Sequence, residues 1–415
     1  MVSWAHSHDV PLEKHSFDSL APSGTNFERD LSFPTNIPAG RPTVAEIDLT
    51  ALSANYHAIA RLAPGAELMA IVKADAYGHG AIEVARALAS ERCGHFGVAT
   101  VEEARELRGA SIRQRIYVMG GFFPDQAGEI VALDSTPFVF DIASIAALDR
   151  AAREQSRNFK VHIKIDSGAS RLGIRPEELD AAIAELKRAR SLELEGVCTL
   201  LANAGDPLSP ANEDQLRVFA SALERLRGAG FAARVVHVAN SAATVLRPDS
   251  HFNMIRPGLA LYGLPPVAAV RDAVELIPAM TFKTRVIQLK RIPAGAAVSY
   301  GHTFVAARPS VIGVLPVGYA DGYRRGLQHG GEVLIRGLRA PLVGAVCMDL
   351  TMVDLTEVPS AAPGDAVILW GGSGAAAISV NDVARLAQTI SYEMLCTVGR
   401  RVPRIYLRSA GAGGE

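Results

Sequence analysis

The sequence predicts an α/β fold, a (β/α)8 barrel of the TIM type followed by a smaller C-terminal β domain. Two observations predict it. Eight short apolar runs follow one another between residues 68 and 263, most of them trailed by a helical pattern, and eight such units are the count a TIM-type barrel needs. From about residue 275 the helical patterns give way to strand-like runs between Gly/Pro turns. Taken in order, Val44–Leu49 is a first strand-like run. The stretch from Asp48 to Ala63 then sets Leu52, Tyr56, Ile59 and Ala63 on one face, which is helical spacing. The barrel candidates are Leu68–Ala74, His95–Ala99, Arg115–Gly120, Pro137–Asp141, Phe159–Asp166, Leu194–Leu200, Val235–Asn240 and Met254–Gly263. They are largely continuous Val/Ile/Leu runs, as strands covered on both faces require. Helices are expected at Gly80–Ser90, Glu177–Ala189 and Asn212–Gly228. In the last third, Met280–Leu289, Ala297–Val305, Val311–Val317, Glu332–Ile335 and Val367–Leu369 read as strands. Ser379, with Asp382 three residues later, resembles a capping box opening a helix over Val380–Gln388. The runner-up for the first part is an open doubly wound sheet. The expected organisation is a polar extension at 1–43, the barrel at 44–270, the β domain at 271–408 and a Gly-rich flexible tail at 409–415.

With 415 residues, two domains fit, since such a barrel uses about 250 as one unit. Hydrophobic residues make up 49% and charged residues 20%, a balance that supports a large core, and a formal net charge of -1 supplies no excess for nucleic acid or an anionic membrane. The four cysteines, Cys93, Cys198, Cys347 and Cys396, are far apart and lack metal-like spacing, so they are expected to be reduced and mostly buried. The 11 histidines are scattered and no metal-binding set is expected. No apolar run reaches the roughly 18 residues of a membrane helix, and the first 40 residues lack the apolar core of a secretory signal. Cytoplasmic residence is the expectation.

Chemistry in TIM-type barrels gathers at the C-terminal ends of the strands. The first barrel run ends at Lys73, in Ala-Ile-Val-Lys-Ala-Asp-Ala-Tyr-Gly-His-Gly. A lysine there either snorkels to solvent or is a desolvated amine, a ready nucleophile towards an aldehyde. The fifth run ends in Lys164-Ile165-Asp166-Ser167-Gly168 with Arg171 beyond. The seventh ends at Asn240-Ser241, and the eighth carries Arg256-Pro257-Gly258-Leu259. Many such barrels hold phosphate after strands seven and eight with backbone N–H groups and small hydroxyls, which is where Ser241, Gly258 and Leu259 lie. Each signal is ordinary turn chemistry by itself. A phosphate seat together with an isolated strand-end lysine suggests pyridoxal phosphate.

These segments and those that follow resemble the alanine racemase family from about residue 44 to 405. The Lys73 segment is similar to that family's cofactor-lysine motif, and Lys164-x-Asp-x-Gly-x-x-Arg171-Leu-Gly to its second signature. Ala239-Asn240-Ser241, Arg256-Pro257-Gly258 with Leu261-Tyr262-Gly263, Ser299-Tyr300-Gly301-His302-Thr303, Gly318-Tyr319-Ala320-Asp321-Gly322, Cys347-Met348-Asp349 and Ser391-Tyr392-Glu393 follow in the family's order. The resemblance implies racemisation of alanine through removal of the Cα proton, a place in D-alanine supply for peptidoglycan, and a homodimer with shared active sites. Lys73 would hold pyridoxal phosphate as a Schiff base and act as base on one face of the substrate. Tyr300, from the β domain of a second subunit, would be the base on the other. A phenol needs nearby positive charge to give up its proton near neutral pH, and Arg171 is the implied source. Arg256 would hydrogen-bond the pyridine nitrogen; Tyr77, Asn240, Ser241, Gly258, Leu259 and Tyr392 would bind the cofactor, chiefly its phosphate. Arg171 and Met348 would contact substrate, with Lys164, Tyr319 and Asp349 in support; Lys164 matches a position carbamylated in some members.

The sequence departs from the family's pattern at Leu200, where histidine is usual beside the cofactor ring. Leucine packs there but makes no hydrogen bond, so the tuning of Tyr300 differs. Gly-Ala-Ser-Arg before Leu172 also differs modestly from Gly-Met-x-Arg. The alternatives are a racemase of another small amino acid such as serine, a related decarboxylase, whose Gly-rich phosphate signature is absent, and a non-catalytic pyridoxal-phosphate-binding barrel, which would lack the β domain.

Overall fold

The computed structural model describes residues 40–408, save 373 and 375. The flexible tail expected at 409–415 and all but the last four residues of the extension expected at 1–43 lie outside the described residues. Eight parallel strands close into a barrel: β2 (Glu67–Ile71), β3 (His95–Val98), β4 (Arg115–Val118), β5 (Ser135–Val139), β6 (Phe159–Lys164), β7 (Leu192–Cys198), β8 (Val235–His237) and β9 (Met254–Ile255). Closure is made by β9 on β2, Glu67 opposite Met254 and Leu68 opposite Ile255, which rules out the open doubly wound sheet.

The helices start where capping predicts. Asp48 accepts from the N–H groups of Thr50 and Ala51 to open Leu49–Leu62, whose Leu52 and Ile59 are buried. Thr100 and Glu103 form a reciprocal capping box on Val101–Gly109. Ser379 caps Val380–Leu386 through the N–H of Asn381.

The strand at Val44–Asp48, β1, stands outside the barrel. It pairs antiparallel with β10 (Met280–Arg285) and parallel with β19 (Arg404–Leu407), inside a six-stranded sheet ordered β16-β15-β18-β10-β1-β19. The other members are β15 (Glu332–Ile335), β16 (Leu338–Pro341) and β18 (Ala366–Trp370). A second sheet is ordered β11 (Gln288–Ile292), β14 (Ser310–Leu315), β17 (Thr351–Asp354). The β-rich part is therefore anchored by a strand that precedes the barrel in sequence.

Several expected boundaries shift. Met280–Leu289 is two strands, because β10 and β11 belong to different sheets. Ala297–Val305 is a short hairpin of β12 (Ala297–Val298) and β13 (Phe304–Val305), interrupted by the turn at Tyr300–His302. Met254–Gly263 contains only two residues of strand; Leu259–Tyr262 is a buried 3-10 turn. The strands β16, β17 and β19 were not expected, being four residues each with mixed polarity. All four cysteines are free, and two of them, Cys93 and Cys198, are buried, fewer than expected. Among the described residues, no helix is long and apolar enough to cross a membrane.

Candidate active site

β2 ends at Ile71, two residues before Lys73. The chain then enters a turn without right-handed geometry: Ala74, Asp75, Ala76 and Tyr77 have φ of 53–54° and ψ of 42–51°. Four consecutive non-glycine residues in the left-handed region cost about 1–2 kcal/mol each, because Cβ crowds the following carbonyl. Such strain persists only where the surroundings impose it. Glu103 accepts from the N–H of Ala74 at 2.6 Å, and Asp75 accepts from the N–H of Ala81 at 2.8 Å. The buried His79 Nδ1 lies 3.0 Å from the carbonyl of Ala76 and 2.9 Å from that of Tyr77, and burial pushes its pKa down to about 4. That keeps the ring neutral, with its single proton on Nδ1 to donate to these carbonyls. From the far end of the chain, Arg404 donates to the carbonyl of Gly78 at 3.0 Å, and the helix Ser391–Cys396 packs so closely on Gly78 that a Cβ there would lie 2.2 Å from the carbonyl oxygen of Leu395.

The turn delivers Lys73 and Tyr77 into a cavity of about 400 Å³ at the C-terminal mouth of the barrel. Lys164, Arg171, Leu200, Asn240, Ser241, Arg256, Gly258, Leu259 and Tyr392 share its wall. Eleven residues singled out in the sequence, scattered over more than 300 positions, thus converge on one space. Burial pulls the Lys73 amine below its ordinary pKa, and Arg171 adds to the effect against the opposing pull of Glu103. The Lys164 amine is lowered as well, again chiefly by burial. Arg171 is presented by a loop organised on Asp166, whose Oδ1 accepts from the N–H groups of Gly168, Ala169 and Ser170 at 2.9–3.0 Å.

In the same cavity, the N–H of Gly258 donates to Ser241 Oγ at 2.8 Å. A Cβ on Gly258 would stand 2.4 Å from Tyr77 Oη, so only glycine admits that hydroxyl. Tyr77 and Tyr392 approach with ring centroids 5.9 Å apart, and burial raises the pKa of both, so they remain protonated phenols. Asn240 caps the helix Ser241–Leu246 through the N–H of Ala243. Ser241 and Leu259 open their helical turns, where N–H groups have no intrahelical partner. Arg256 Nη1 donates to His237 Nδ1 at 2.7 Å, and Nη2 donates to the carbonyls of Thr199 and Val238 at 2.8 and 3.0 Å.

The remaining predicted residues lie elsewhere on the same chain. Tyr300 is 74% exposed and Met348 53% exposed. Tyr300 lines a shallow apolar patch with Ser299, His302, Cys347, Leu350 and Met352, away from the Lys73 cavity. Tyr319 is exposed, and its backbone is tied to that of Cys347. Asp349 accepts from Arg401, which also holds the buried Asp321, itself bonded by Arg41. Sequence reasoning gave no role to Glu103, Asp75, His79, Thr199 or His237. Glu103 carried a capping signal but none for its reach to the lysine turn, and the interior histidines carried no local signal.

Comparison with known proteins agrees with this arrangement. The family model for the alanine racemase N-terminal domain matches residues 47–266, and that for the alanine racemase C-terminal domain matches 279–406. The chain is 44% identical over 375 residues to the alanine racemase of Symbiobacterium thermophilum, covering 90% of this chain and 98% of that one. It is 39% identical to alanine racemase 2 of Caldanaerobacter subterraneus subsp. tengcongensis, covering 88% and 95%. The alanine racemase of Clostridium difficile 630 superposes with a TM-score of 0.85 at 34% identity over 90% of this chain and 97% of that one. The enzyme from D-cycloserine-producing Streptomyces lavendulae gives 0.84 at 35% over 91% and 99%. With both domain models matched in order and a closed barrel whose mouth gathers the motif residues, the chain belongs to the alanine racemase family.

Proposed function

We propose that this protein interconverts L-alanine and D-alanine, using pyridoxal phosphate bound covalently at Lys73. The observation that carries the proposal is the convergence of a half-buried, pKa-lowered lysine with a cradle of hydroxyl and N–H donors in one cavity. That donor set suits a phosphate: the hydroxyls of Tyr77, Ser241 and Tyr392 with the N–H groups of Ser241 and Leu259, around a glycine whose missing Cβ leaves the space open. Arg256 suits an acceptor nitrogen, because guanidinium donates without releasing its proton. When bound, pyridoxal phosphate supplies an electron-withdrawing ring that acidifies the Cα–H of an attached amino acid.

In this reading Lys73 has three tasks. Its lowered pKa leaves more of the amine neutral, able to capture the aldehyde and afterwards to take or return a proton on its side of the substrate. Arg171 binds the substrate carboxylate and adds positive charge. Asn240 holds the phosphate-side helix in place. Racemisation needs a second base on the opposite face, and Tyr300 is the candidate. Its exposure on a separate patch supports its delivery by the second subunit of a symmetric homodimer, together with Met348 and with Tyr319 and Asp349 in support. Lys164, beside Arg171 in the cavity wall, positions that arginine, by carbamylation or directly.

The test uses purified protein saturated with pyridoxal phosphate. It should convert L-alanine to D-alanine on chiral chromatography, ahead of serine and other amino acids in a panel, and borohydride should fix the cofactor on the peptide carrying Lys73. Lys73→Ala should reduce conversion to background. Fixation on another lysine, or L-alanine left unchanged, would sink the proposal.

A further inference from the structure

Barrel interiors of this type are ordinarily packed with Val, Ile and Leu. Here one interior column is polar. Behind Arg256, His237 Nε2 lies 2.8 Å from His162 Nδ1, and His162 Nε2 lies 3.3 Å from Glu195 Oε2. His162, His237 and the Glu195 carboxylate are all fully buried. The space is built for the ring: a Cβ on Gly196 would come within 2.5 Å of the His162 imidazole. Towards the N-terminal mouth, Glu195 Oε1 accepts from Arg115 Nη1 at 2.9 Å, Lys160 Nζ at 3.1 Å and Arg234 Nη2 at 2.6 Å, while Arg115 Nη2 bonds Oε2. Buried polar columns cost stability unless every member is satisfied, and an apolar replacement is often neutral or better. This column therefore invites a role beyond stability.

From the geometry we infer that Glu195, acting through His162 and His237, fixes the proton register that holds Arg256 with one face locked and its Nε free to serve the cavity. The logic is one of donors and acceptors. Guanidinium can only donate, so His237 Nδ1 must accept. A neutral His237 then carries its proton on Nε2 and donates to His162 Nδ1. His162 in turn carries its proton on Nε2 and donates to Glu195, which can only accept. The two ends have fixed polarity, so one arrangement satisfies all four groups. The electrostatics agree. Burial pushes both histidines below their ordinary pKa, keeping them neutral. Burial alone would raise the Glu195 carboxyl, but hydrogen bonds from His162, Arg115 and Arg234 hold it well below the usual carboxylate range. With Nη1 and Nη2 engaged, Arg256 Nε has no partner among the described residues. Glu195, His162 and His237 are positioning residues for Arg256. Only the last step, from Arg256 to the cofactor, rests on the functional reading above.

The discriminating substitution is Glu195→Gln. Three cationic donors converge on Oε1, so the amide oxygen stays there and the NH2 turns to His162 Nε2. A donor at that end reverses the register: both histidines take the proton on Nδ1, and His237 then confronts Arg256 donor to donor. In protein labelled with 15N-histidine, the two imidazoles, assigned by their loss in His162→Asn and His237→Asn, should both be Nε2–H tautomers in the wild type and Nδ1–H in Glu195→Gln. Pyridoxal phosphate affinity, titrated by visible absorbance, should weaken by about ten-fold, the scale for groups that orient a ligand-holding side chain. An Nδ1–H tautomer or an imidazolium at either histidine in the wild type at neutral pH would overturn the inference, whether or not Glu195→Gln folds. So would a folded Glu195→Gln protein, judged by its thermal midpoint, with wild-type tautomers and affinity. If the wild type bound no pyridoxal phosphate, the functional reading would fail, while the wild-type proton positions would still decide the column.

Discussion

At the scale of single residues, Leu200 is where this chain departs from its family's pattern. It stands in the cavity wall just past β7, between Thr199, whose carbonyl accepts from Arg256, and Leu201, which is buried. Its own carbonyl accepts from Gln215 Nε2 at 2.9 Å, so the backbone is pinned and only the side chain is free to change. Leu200→His offers the cavity a hydrogen-bonding ring. Turnover is expected to rise by about five-fold, or the pH profile of kcat to shift, the effect of one hydrogen bond of ~1 kcal/mol made in the transition state. Unchanged kcat, KM and pH dependence, in a variant whose thermal midpoint shows no overpacking, would make Leu200 a space filler. Lys73 was legible in the sequence because a charge closing an apolar run is expensive unless used. His162, His237 and Glu195 were not, because their meaning lies in partners 33 to 75 positions away that only barrel closure aligns.

At the scale of elements, the turn after β2 stores conformational energy. The four left-handed residues amount to about 4–8 kcal/mol of unfavourable backbone, by the per-residue cost, and contacts from Glu103, His79, Arg404 and the helix Ser391–Cys396 hold it. The sign of a glycine substitution tests this. In a right-handed helix, Ala→Gly costs about 1 kcal/mol. At Ala74, exposed and with φ of 53°, glycine relieves the Cβ clash against a smaller entropic loss, so Ala74→Gly should leave the thermal midpoint unchanged or higher at matched scan rate. A fall of several degrees would mean that the turn is unstrained. The sequence placed the helix start at Gly80, which caps Ala81–Ser90, but ran the strand on to Ala74, three residues past its end at Ile71, because alanine and aspartate announce no left-handed turn. The same limit explains Met254–Gly263, where a continuous apolar run reads as strand and folds as two strand residues plus a buried 3-10 turn.

At the scale of the whole molecule, the C-terminal part completes the barrel's site instead of merely following it. The helix Ser391–Cys396 brings Tyr392 to the cavity, and β19 pairs beside β1, which leads into the barrel. Neither Tyr300 nor Met348 lines its own chain's cavity, and both are exposed. If a second subunit receives them, inactive variants should rescue one another. Lys73→Ala and Tyr300→Phe homodimers should each be nearly inactive. After subunit exchange about half the dimers are mixed, each with one intact site and one doubly defective, so roughly a quarter of wild-type activity should return by symmetry. Activity that stays at the level of the parents, with exchange confirmed by mass spectrometry, would place both bases on one chain.

Local pattern was enough for the barrel and the β domain, because strand count, helical spacing and capping are written in neighbouring residues. It marked Lys73, Ser241 and Gly258 as strand-end candidates, while Tyr77 and the role of Arg256 came from the family resemblance, and the fold brings all five to one cavity. Tertiary structure alone decided that β1 joins the C-terminal sheet, that the lysine turn is left-handed, that Asp321 is buried between two arginines, and that a polar column runs from Arg256 to Glu195. The physical reason is common to all four. Each depends on hydrogen bonds or steric contacts between segments far apart in the chain, and the free energy of such contacts leaves no periodicity in the residues that make them.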